Sequence, residues 1–126
     1  MVRQDVMERK HIVRPGADDC HYRDYLISGA HLLQYVTDCI ACMSSVREGT
    51  GGLVANINGN FREEVHAMDE LVVTVRLESV GNTSRKYAFT IEKTIAYNTD
   101  GARAATVLDE PKLCVDGTCI LVVKPH

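Results

Sequence analysis

Apolar residues recur with two different periods along this chain, and the period changes near residue 50. Between Ser28 and about Val46 they return every three or four positions, which is typical of one face of an α-helix. These positions are Leu32, Leu33, Val36, Cys39, Ile40 and Met43. Ser28 is a residue type that caps helix N-termini, and the glycines in 48–52 are typical of a helix end. The pattern therefore predicts one long helix with a buried face.

Beyond residue 52 the apolar period is two, as expected for strands with one buried face. The pattern predicts strands over 9–14, 53–57, 71–79, 84–98 and 118–124. The inward positions are predicted to be Leu71, Val73, Val75 and Leu77 in one strand, and Tyr87, Phe89, Ile91, Ile95 and Tyr97 in the next. The run 118–124 is mostly apolar, so we expect it to be a central strand.

The segments between these runs carry turn residues. Pro15-Gly16 ends the first strand, and 98–102 is predicted to be a loop. Val80-Gly81-Asn82 predicts a tight hairpin turn, since Gly81 and Asn82 are residues that tolerate positive φ. Hairpin-linked strands are antiparallel, and the apolar face of the helix must be buried against them. The order therefore predicts an α+β fold, an antiparallel sheet wrapped around one long central helix.

Length and composition fit one such domain, spanning residues 1–126. The net charge of −3 argues against a nucleic-acid binder, and no apolar run approaches the ~20 residues that cross a membrane. The charged start shows no signal peptide, so we expect a cytoplasmic protein. A sheet edge left unpaired exposes backbone N–H and C=O groups. We therefore expect a homodimer whose sheets join edge to edge.

The five cysteines include a CxxC pair, Cys39 and Cys42. Cys39 follows the apolar spacing of the helix, and buried cysteine behaves as a small hydrophobic residue. No second paired motif completes a zinc site. We therefore expect reduced cysteines and no metal.

A polar stretch directly precedes the helix and carries candidate chemistry. Free N–H groups at a helix N-terminus favour negative charge, and Gly29 lets a ligand approach the backbone closely. A thioester oxygen placed there would be stabilised as it becomes an oxyanion. Asp19 and His21 are close enough in sequence to form an acid/base pair. The alternative is that Asp19 forms a turn and His21 is a hydrogen-bonded structural residue.

Several motifs together resemble a known family. They are Asp19-Cys20-His21-Tyr22, Gly29-Ala30, Leu33-Gln34 with Asp38, Val80-Gly81-Asn82-Thr83-Ser84-Arg85-Lys86, Glu110-Pro111 and Gly117-Thr118-Cys119. In this combination, over roughly residues 10–124, they resemble the 3-aminobutyryl-CoA ammonia-lyases of lysine fermentation and the related β-alanyl-CoA ammonia-lyases. The element order likewise resembles the hotdog fold of acyl-CoA enzymes.

The resemblance implies a cytoplasmic lyase that eliminates ammonia from a β-aminoacyl-CoA to give the enoyl-CoA. It implies no cofactor beyond the coenzyme A of the substrate, and a homodimer or a higher even oligomer such as a hexamer. The Gly29 amide would hold the enolate oxygen. Asp19 and His21 would act as base or bind the ammonium group, with neither role assigned to either residue. Tyr22 and Ser28, which flank these groups, are candidate substrate-binding residues.

The chain also departs from the family pattern. Arg23-Asp24-Tyr25 stands where members usually have small residues and an asparagine. Asn60 stands where members carry an acid before the phenylalanine, and Glu64 stands where they carry a proline. If that acid acts in the family, Glu63 or Glu64 replaces it here, another substrate is used, or the lyase activity is lost. Asn60 and Glu63 are therefore candidate substrate-binding residues.

Other residues are candidates by type or position. Arg85 and Lys86 follow the hairpin and are predicted to contact the phosphates of coenzyme A, although a solvated strand end explains them equally well. His31 and His66 are more typical of surface or hydrogen-bonded core residues. Asp38, on the polar side of the helix, is a weaker candidate that would face a dimer partner.

Two alternatives to the lyase stay open. A hotdog acyl-CoA thioesterase would use Asn60 or Asp38 to position water, and an enoyl-CoA hydratase would use related chemistry. A non-catalytic acyl-CoA-binding protein would also fit the departures at Asn60 and at 23–25. A shared fold does not decide among these activities.

Overall fold

The computed structural model describes residues 2–20, 22–98 and 104–124. Its regular elements are β1 (Glu8–Val13), α1 (Gly29–Glu48), β2 (Leu53–Phe61), β3 (Glu70–Val80), β4 (Ser84–Tyr97) and β5 (Ala105–Val122). Two short 3₁₀ turns, Ala17–Asp19 and Arg23–Tyr25, precede the helix. The strands form one sheet in the order β1-β3-β4-β5-β2, and all neighbours are antiparallel. The predicted sheet around one long helix is confirmed.

The predicted helix ends are also confirmed. The Ser28 hydroxyl caps α1 by accepting a hydrogen bond from the His31 N–H at 3.1 Å. Gly49 ends the helix in the left-handed region with φ 77°, which glycine adopts without a Cβ penalty. Among the described residues, no helix has the length and apolar character needed to span a membrane.

The core lies between the inner face of the sheet and one side of α1. The helix contributes Leu32, Val36, Cys39, Ile40 and Met43. The sheet contributes alternate residues of its two long central strands, namely Leu71, Val73, Val75, Leu77, Tyr87, Phe89 and Ile91. These are positions predicted from the period-two pattern, so the inward faces of β3 and β4 are confirmed over this part of each strand. Tyr97, at the end of β4, is exposed.

β5 is an inner strand, as predicted, but it is much longer than 118–124 because it begins at Ala105. Its first half includes Glu110, Pro111 and Lys112, all exposed, and therefore has no apolar alternation that would mark it as a strand. β2 likewise continues to Phe61, through polar residues that alternation alone does not detect. The predicted loop 98–102 lies, after Asn98, outside the described residues.

The predicted hairpin between β3 and β4 is present. The Gly81 N–H donates to the Ser84 carbonyl at 2.8 Å, so two residues, Asn82 and Thr83, lie between the bonded residues. Neither Gly81 nor Asn82 takes the positive φ that both tolerate, so the turn is not the mirror-image type that is common in two-residue hairpins.

The two edges of the sheet are β1 and β2. β2 is exposed along most of its length and presents three large apolar side chains to solvent, Leu53, Val54 and Phe61. Such an edge is a template for pairing with another chain.

Candidate active site

A cleft of about 780 Å³ opens at the N-terminal end of α1. Its lining combines the start of the helix, the segment that follows β2, and one residue of β4. The lining residues are Leu26, Ile27, Gly29, Leu32, Phe61, Arg62, Glu63, Glu64, Val65, His66 and Lys93. A concave site with apolar walls and a few converging polar groups is the usual form of a small-molecule site.

Backbone hydrogen bonds fix the segment after β2 against the approach to the helix. The Ile27 N–H donates to the Val65 carbonyl at 2.8 Å, and the Ala67 N–H donates to the Tyr25 carbonyl at 2.8 Å. Leu26 and His66 form a β-bridge between these two bonds. The cleft wall that carries Glu63, Glu64 and His66 is therefore anchored beside the helix start.

Gly29 is the first residue of α1 and lies under the ring of Phe61. A Cβ placed on Gly29 would come within 3.0 Å of Phe61 Cε1 and 3.1 Å of Phe61 Cζ. Glycine is thus required for the phenyl ring to lie this close to the backbone. The predicted role of the Gly29 amide is untested, but the residue does line the cleft.

Two acids and a histidine form the polar wall of the cleft. The Oε2 of Glu64 lies 3.7 Å from Nε2 of His66, and the Glu64 side chain is 75% exposed. The Oε2 of Glu63 lies 3.5 Å from Nζ of Lys112. Glu63 was predicted as a substrate-binding residue, and the structure places it in the cleft beside the Glu64–His66 pair.

Lys93 also lines the cleft and is nine-tenths buried. Its Nζ lies 3.1 Å from Oδ2 of Asp69 and donates to the Glu64 carbonyl at 2.9 Å. Asp69 is 1% exposed and also accepts hydrogen bonds from the N–H groups of His66 and Tyr97, at 2.8 and 2.7 Å. The carboxylate is therefore fully engaged and holds Lys93 and His66 in place.

The structure pairs Asp19 with His31. Oδ1 of Asp19 lies 3.8 Å from Nε2 of His31, which is hydrogen-bonded to the Tyr35 hydroxyl at 2.8 Å. Burial, and secondarily the charge of Asp19, raises the pKa of Tyr35 above its ordinary value. Asp19 also accepts a hydrogen bond from the Gly16 N–H at 2.7 Å, and neither Asp19 nor His31 lines the cleft. His21, its predicted partner, lies outside the described residues.

The remaining predicted binding residues lie outside the cleft lining. Tyr22 is exposed, and Ser28 is occupied as the helix cap. The Asn60 side-chain amide donates to Asp116 at 3.0 Å, and Arg62 binds the same carboxylate at 2.9 Å. These hydrogen bonds, that of Arg62 first, lower the pKa of Asp116 below its ordinary range.

Arg85 and Lys86 lie on β4, at the strand end opposite to Lys93. Arg85 binds the Glu48 carboxylate through Nε at 2.8 Å and Nη2 at 3.2 Å, and it donates further hydrogen bonds to the carbonyls of Gly81 and Ser84. This hydrogen bonding, chiefly with Glu48, raises the pKa of Arg85. Lys86 is partly buried on the neighbouring position. The predicted contact of either residue with phosphates stays a prediction.

The predicted burial of Cys39 is confirmed. Cys39 is fully buried in the core, whereas Cys42 is exposed. Burial raises the pKa of the Cys39 thiol to about 11, which disfavours the thiolate needed for metal binding or nucleophilic chemistry.

Sequence reasoning missed Lys93, although the signal was present. Lys93 follows Tyr87, Phe89 and Ile91 at the same period of two, so it occupies an inward position of a strand. A lysine at an inward position must be paired or functional, because burying its charge alone is costly. Its partner Asp69 was missed as well, since nothing in the local sequence shows that its carboxylate is buried.

The matching family model is that of the thioesterase superfamily, and it matches residues 26–94. This span contains the helix, the segment after β2 and Lys93. It defines the class of protein as a hotdog-fold member of that superfamily.

A curated relative narrows this class. The chain is 34% identical over 113 residues to a 3-aminobutyryl-CoA ammonia lyase from Acetoanaerobium sticklandii, covering 86% of this chain and 90% of that protein. The chain therefore belongs to the ammonia-lyase family of this relative, as the sequence motifs predicted. It is accordingly a member of a family of carbon–nitrogen lyases.

Solved structures agree on the fold. The β-alanyl-CoA:ammonia lyase from Clostridium propionicum superposes with a TM-score of 0.87 at 24% identity, covering 98% of this chain and 87% of that chain. An Asn28Ala mutant of an acyl-CoA hydrolase from Staphylococcus aureus, in complex with coenzyme A, gives a TM-score of 0.76 at 12% identity. This match covers 94% of this chain and 65% of the hydrolase chain. The hotdog fold predicted from the sequence is thus confirmed.

Proposed function

We propose that this protein eliminates ammonia from a β-aminoacyl-CoA of the 3-aminobutyryl-CoA type and releases the enoyl-CoA. The observation that carries this proposal is the cleft, where the first amide of α1, two carboxylates, an imidazole and an ammonium group meet. Its family membership supports the same reaction. The alternative of a non-catalytic acyl-CoA-binding protein leaves this combination of groups without a role.

The elimination needs three things from the protein. A base takes the proton from the α-carbon, which the thioester acidifies, and the electron pair moves to the thioester oxygen as an enolate. The enolate then collapses, breaks the bond from the β-carbon to nitrogen and releases ammonia, which takes up the proton held by the base. The protein must therefore supply a base, a donor to the enolate oxygen and an anion for the substrate ammonium.

The cleft offers a candidate for each requirement. The Gly29 amide is the donor at the helix N-terminus, where the dipole also favours negative charge. His66, oriented by Glu64, is our proposed base, and the carboxylates of Glu63 and Glu64 are the groups that attract the substrate ammonium. The pair Asp19–His31, next to the helix start, is the second candidate for the base.

The proposed reaction uses no organic cofactor, because coenzyme A arrives as part of the substrate. A coenzyme A complex of a structural neighbour supports acyl-CoA as the ligand class. Lys86 stays a candidate for the nucleotide phosphates, whereas Arg85 would have to leave Glu48 to bind them.

We also propose that the protein is a homodimer or a larger even assembly. The edge strand β2 exposes its backbone and three large apolar side chains, and a second copy of β2 would pair with it. Phe61 belongs to both this edge and the cleft, so the interface would lie beside the site. Light scattering at micromolar concentration tests this, and a stable monomer would contradict it.

The direct test of the reaction runs it in reverse. Crotonyl-CoA is incubated with ammonium chloride, the loss of enoyl absorbance is followed, and the product is identified by mass. We expect an adduct heavier by one ammonia, with the thioester intact. A product heavier by one water identifies a hydratase instead, and no product from any candidate thioester contradicts both.

A thioesterase is the second candidate function, favoured by the superfamily and by exposed carboxylates beside the helix start that can activate water. The same incubation distinguishes it, because hydrolysis releases free coenzyme A thiol and the lyase reaction does not. Thiol release without an ammonia adduct would replace the lyase by the thioesterase.

A further inference from the structure

Lys93 is a buried cation for which neither the fold nor the proposed reaction has yet given a reason. β4 directs Tyr87, Phe89 and Ile91 into the core and then, at the same period, Lys93. The strand is irregular at this point, because its register with β3 shifts between Glu70 and Leu71. Such β-bulges redirect side chains and are frequent beside active sites.

The ammonium group of Lys93 has more donors than the protein uses. A lysine ammonium carries three N–H donors. Within the described residues, one is directed to Asp69 and one to the Glu64 carbonyl. Since Lys93 also lines the cleft, the third donor is available to a ligand bound there.

The electrostatic environment of Lys93 favours an anion. The N-terminal end of α1, which carries a partial positive charge, contributes Gly29 to the same cleft. The helix N-terminus and the Lys93 ammonium are thus two electropositive groups that line one cleft. Asp69 supplies negative charge to Lys93 but is already shared with two backbone N–H groups. The acids Glu63 and Glu64 line the same cleft, and their side chains are exposed.

We infer that Lys93 is a catalytic residue that donates a hydrogen bond to the thioester oxygen and stabilises the enolate together with the Gly29 amide. This inference rests on the proposed function, because an enolate arises only in a reaction that removes the α-proton. The Lys93 ammonium and the Gly29 amide then hold the developing negative charge, and the exposed carboxylates of Glu63 and Glu64 hold the substrate ammonium. Each of the two charges of the reacting molecule is thereby matched by groups of opposite charge.

The reaction step changes the charge beside Lys93 without consuming the lysine. The base takes the α-proton, the carbonyl oxygen becomes negative, and the Lys93 ammonium keeps all its protons throughout. The hydrogen bond strengthens as the charge develops, so its effect appears in the transition state more than in substrate binding.

The test replaces the ion pair as a unit. Lys93→Met alone would leave the buried Asp69 carboxylate unpaired, so the main variant is Lys93→Met with Asp69→Asn. Lys93→Gln, whose amide can still donate to Asp69, is the second variant if the double variant does not fold. The control is Arg47→Met, which removes another buried cation, at the far end of α1 and outside the cleft.

The kinetic readout is the split between kcat and KM. We expect the double variant to lower kcat by about 100-fold or more while KM changes little, as for the loss of one oxyanion donor. Arg47→Met should lower the melting temperature and leave kcat near the wild-type value. Equal losses in the Lys93 and Arg47 variants, or a wild-type kcat in the double variant, would overturn the inference.

A spectroscopic readout separates the inference from the lyase proposal. The absorbance of hexa-2,4-dienoyl-CoA moves to longer wavelength when its carbonyl oxygen is polarised, and no turnover is needed. We expect this shift with the wild-type protein and with Arg47→Met, and its loss in the Lys93 variants although the ligand still binds. A shift that depends on Lys93 in a protein without lyase activity would reject the lyase and keep the role of Lys93. No shift with the wild type, or an unchanged shift without Lys93, would reject that role.

Discussion

Buried charged side chains lie at the C-terminal end of α1 and in the cleft at its N-terminal end, but they are paired differently in the two places. At the C-terminal end, Glu48 lies where the helix dipole disfavours a carboxylate, and Arg85 compensates it through two hydrogen bonds. Arg47 adds a third cation-to-anion contact at 3.9 Å. At the N-terminal end, Lys93 lines the same cleft as the first residue of the helix, and one shared carboxylate, that of Asp69, is its partner.

The difference indicates which end is scaffold and which is site. The cluster around Glu48 is closed in the sense that none of its residues lines the cleft and the Glu48 carboxylate is bound by Arg85, although the buried Nε of Arg47 has no hydrogen-bond partner among the described residues. The cluster around Lys93 is open, because Lys93 lines the cleft and has one N–H donor left for a ligand. A buried ion pair is therefore weak evidence of function by itself, and the balance of charge around it is informative.

The largest loss of kcat is expected when the proposed base, His66, is replaced. His66→Gln should lower kcat about 100- to 10,000-fold, because general-base catalysis contributes this range and glutamine cannot accept the proton. Steady-state rates of crotonyl-CoA amination measure it. His11→Gln is the matched control, since His11 lies on β1 and outside the cleft.

The same assay decides between the two candidate bases. If His66→Gln keeps its rate and Asp19→Asn loses it, the proton acceptor is the Asp19–His31 pair rather than the cleft histidine. Unchanged rates in both variants would remove the acid/base role from this end of the helix altogether.

The second largest effect on kcat is expected for Gly29→Val. The added side chain meets the Phe61 ring at about van der Waals distance or closer, with Cβ 3.0 Å from Cε1. The 51% exposed ring can move aside, so we expect the fold to survive while the amide is covered and kcat falls about 100- to 1,000-fold. Circular dichroism checks the fold. Gly59→Ala, near the same ring but outside the cleft lining, is the control, and an active Gly29→Val would disprove the oxyanion role.

Sequence patterns predicted the scaffold much better than the site. Period-two alternation predicted the buried positions of residues such as Val73 and Phe89, because the alternation within one strand decides which of its side chains point into the core. Asp69 and Lys93 are 24 positions apart and meet only because β3 and β4 pair. The fold likewise brings His31, from the first turn of the helix, to Asp19, a pairing that the sequence does not show.

The C-terminal cluster shows the same limit. Arg85 was predicted to contact phosphates because arginine favours bidentate contacts with anions, and a solvated strand end was the equal alternative. Its partner Glu48 precedes it by 37 residues and is the last residue of α1. The sequence shows both charges but not their distance, so it did not predict this ion pair, and the phosphate contact stays a prediction.

Breaking the closed cluster should affect stability and not catalysis. Glu48→Ala leaves the buried Arg85 without its carboxylate, and we expect a loss of about 3 kcal/mol in the free energy of unfolding. Urea denaturation at fixed protein concentration measures it, and kcat of the folded fraction should stay near wild type. A large loss of kcat at unchanged stability would mean that the C-terminal end belongs to the site after all.

The smallest effect expected is a change in acid stability. The hydrogen bond from Arg85 is the main cause that lowers the pKa of Glu48 in the folded protein. A lowered folded pKa means that the contribution to stability is fully present above the ordinary glutamate pKa of 4.5 and is lost as the pH falls through the folded value. The difference in melting temperature between wild type and Glu48→Gln should therefore be constant near neutral pH and shrink below about pH 4.5. A difference that stays constant down to pH 3 would show that the carboxylate charge of Glu48 does not stabilise this end of the helix.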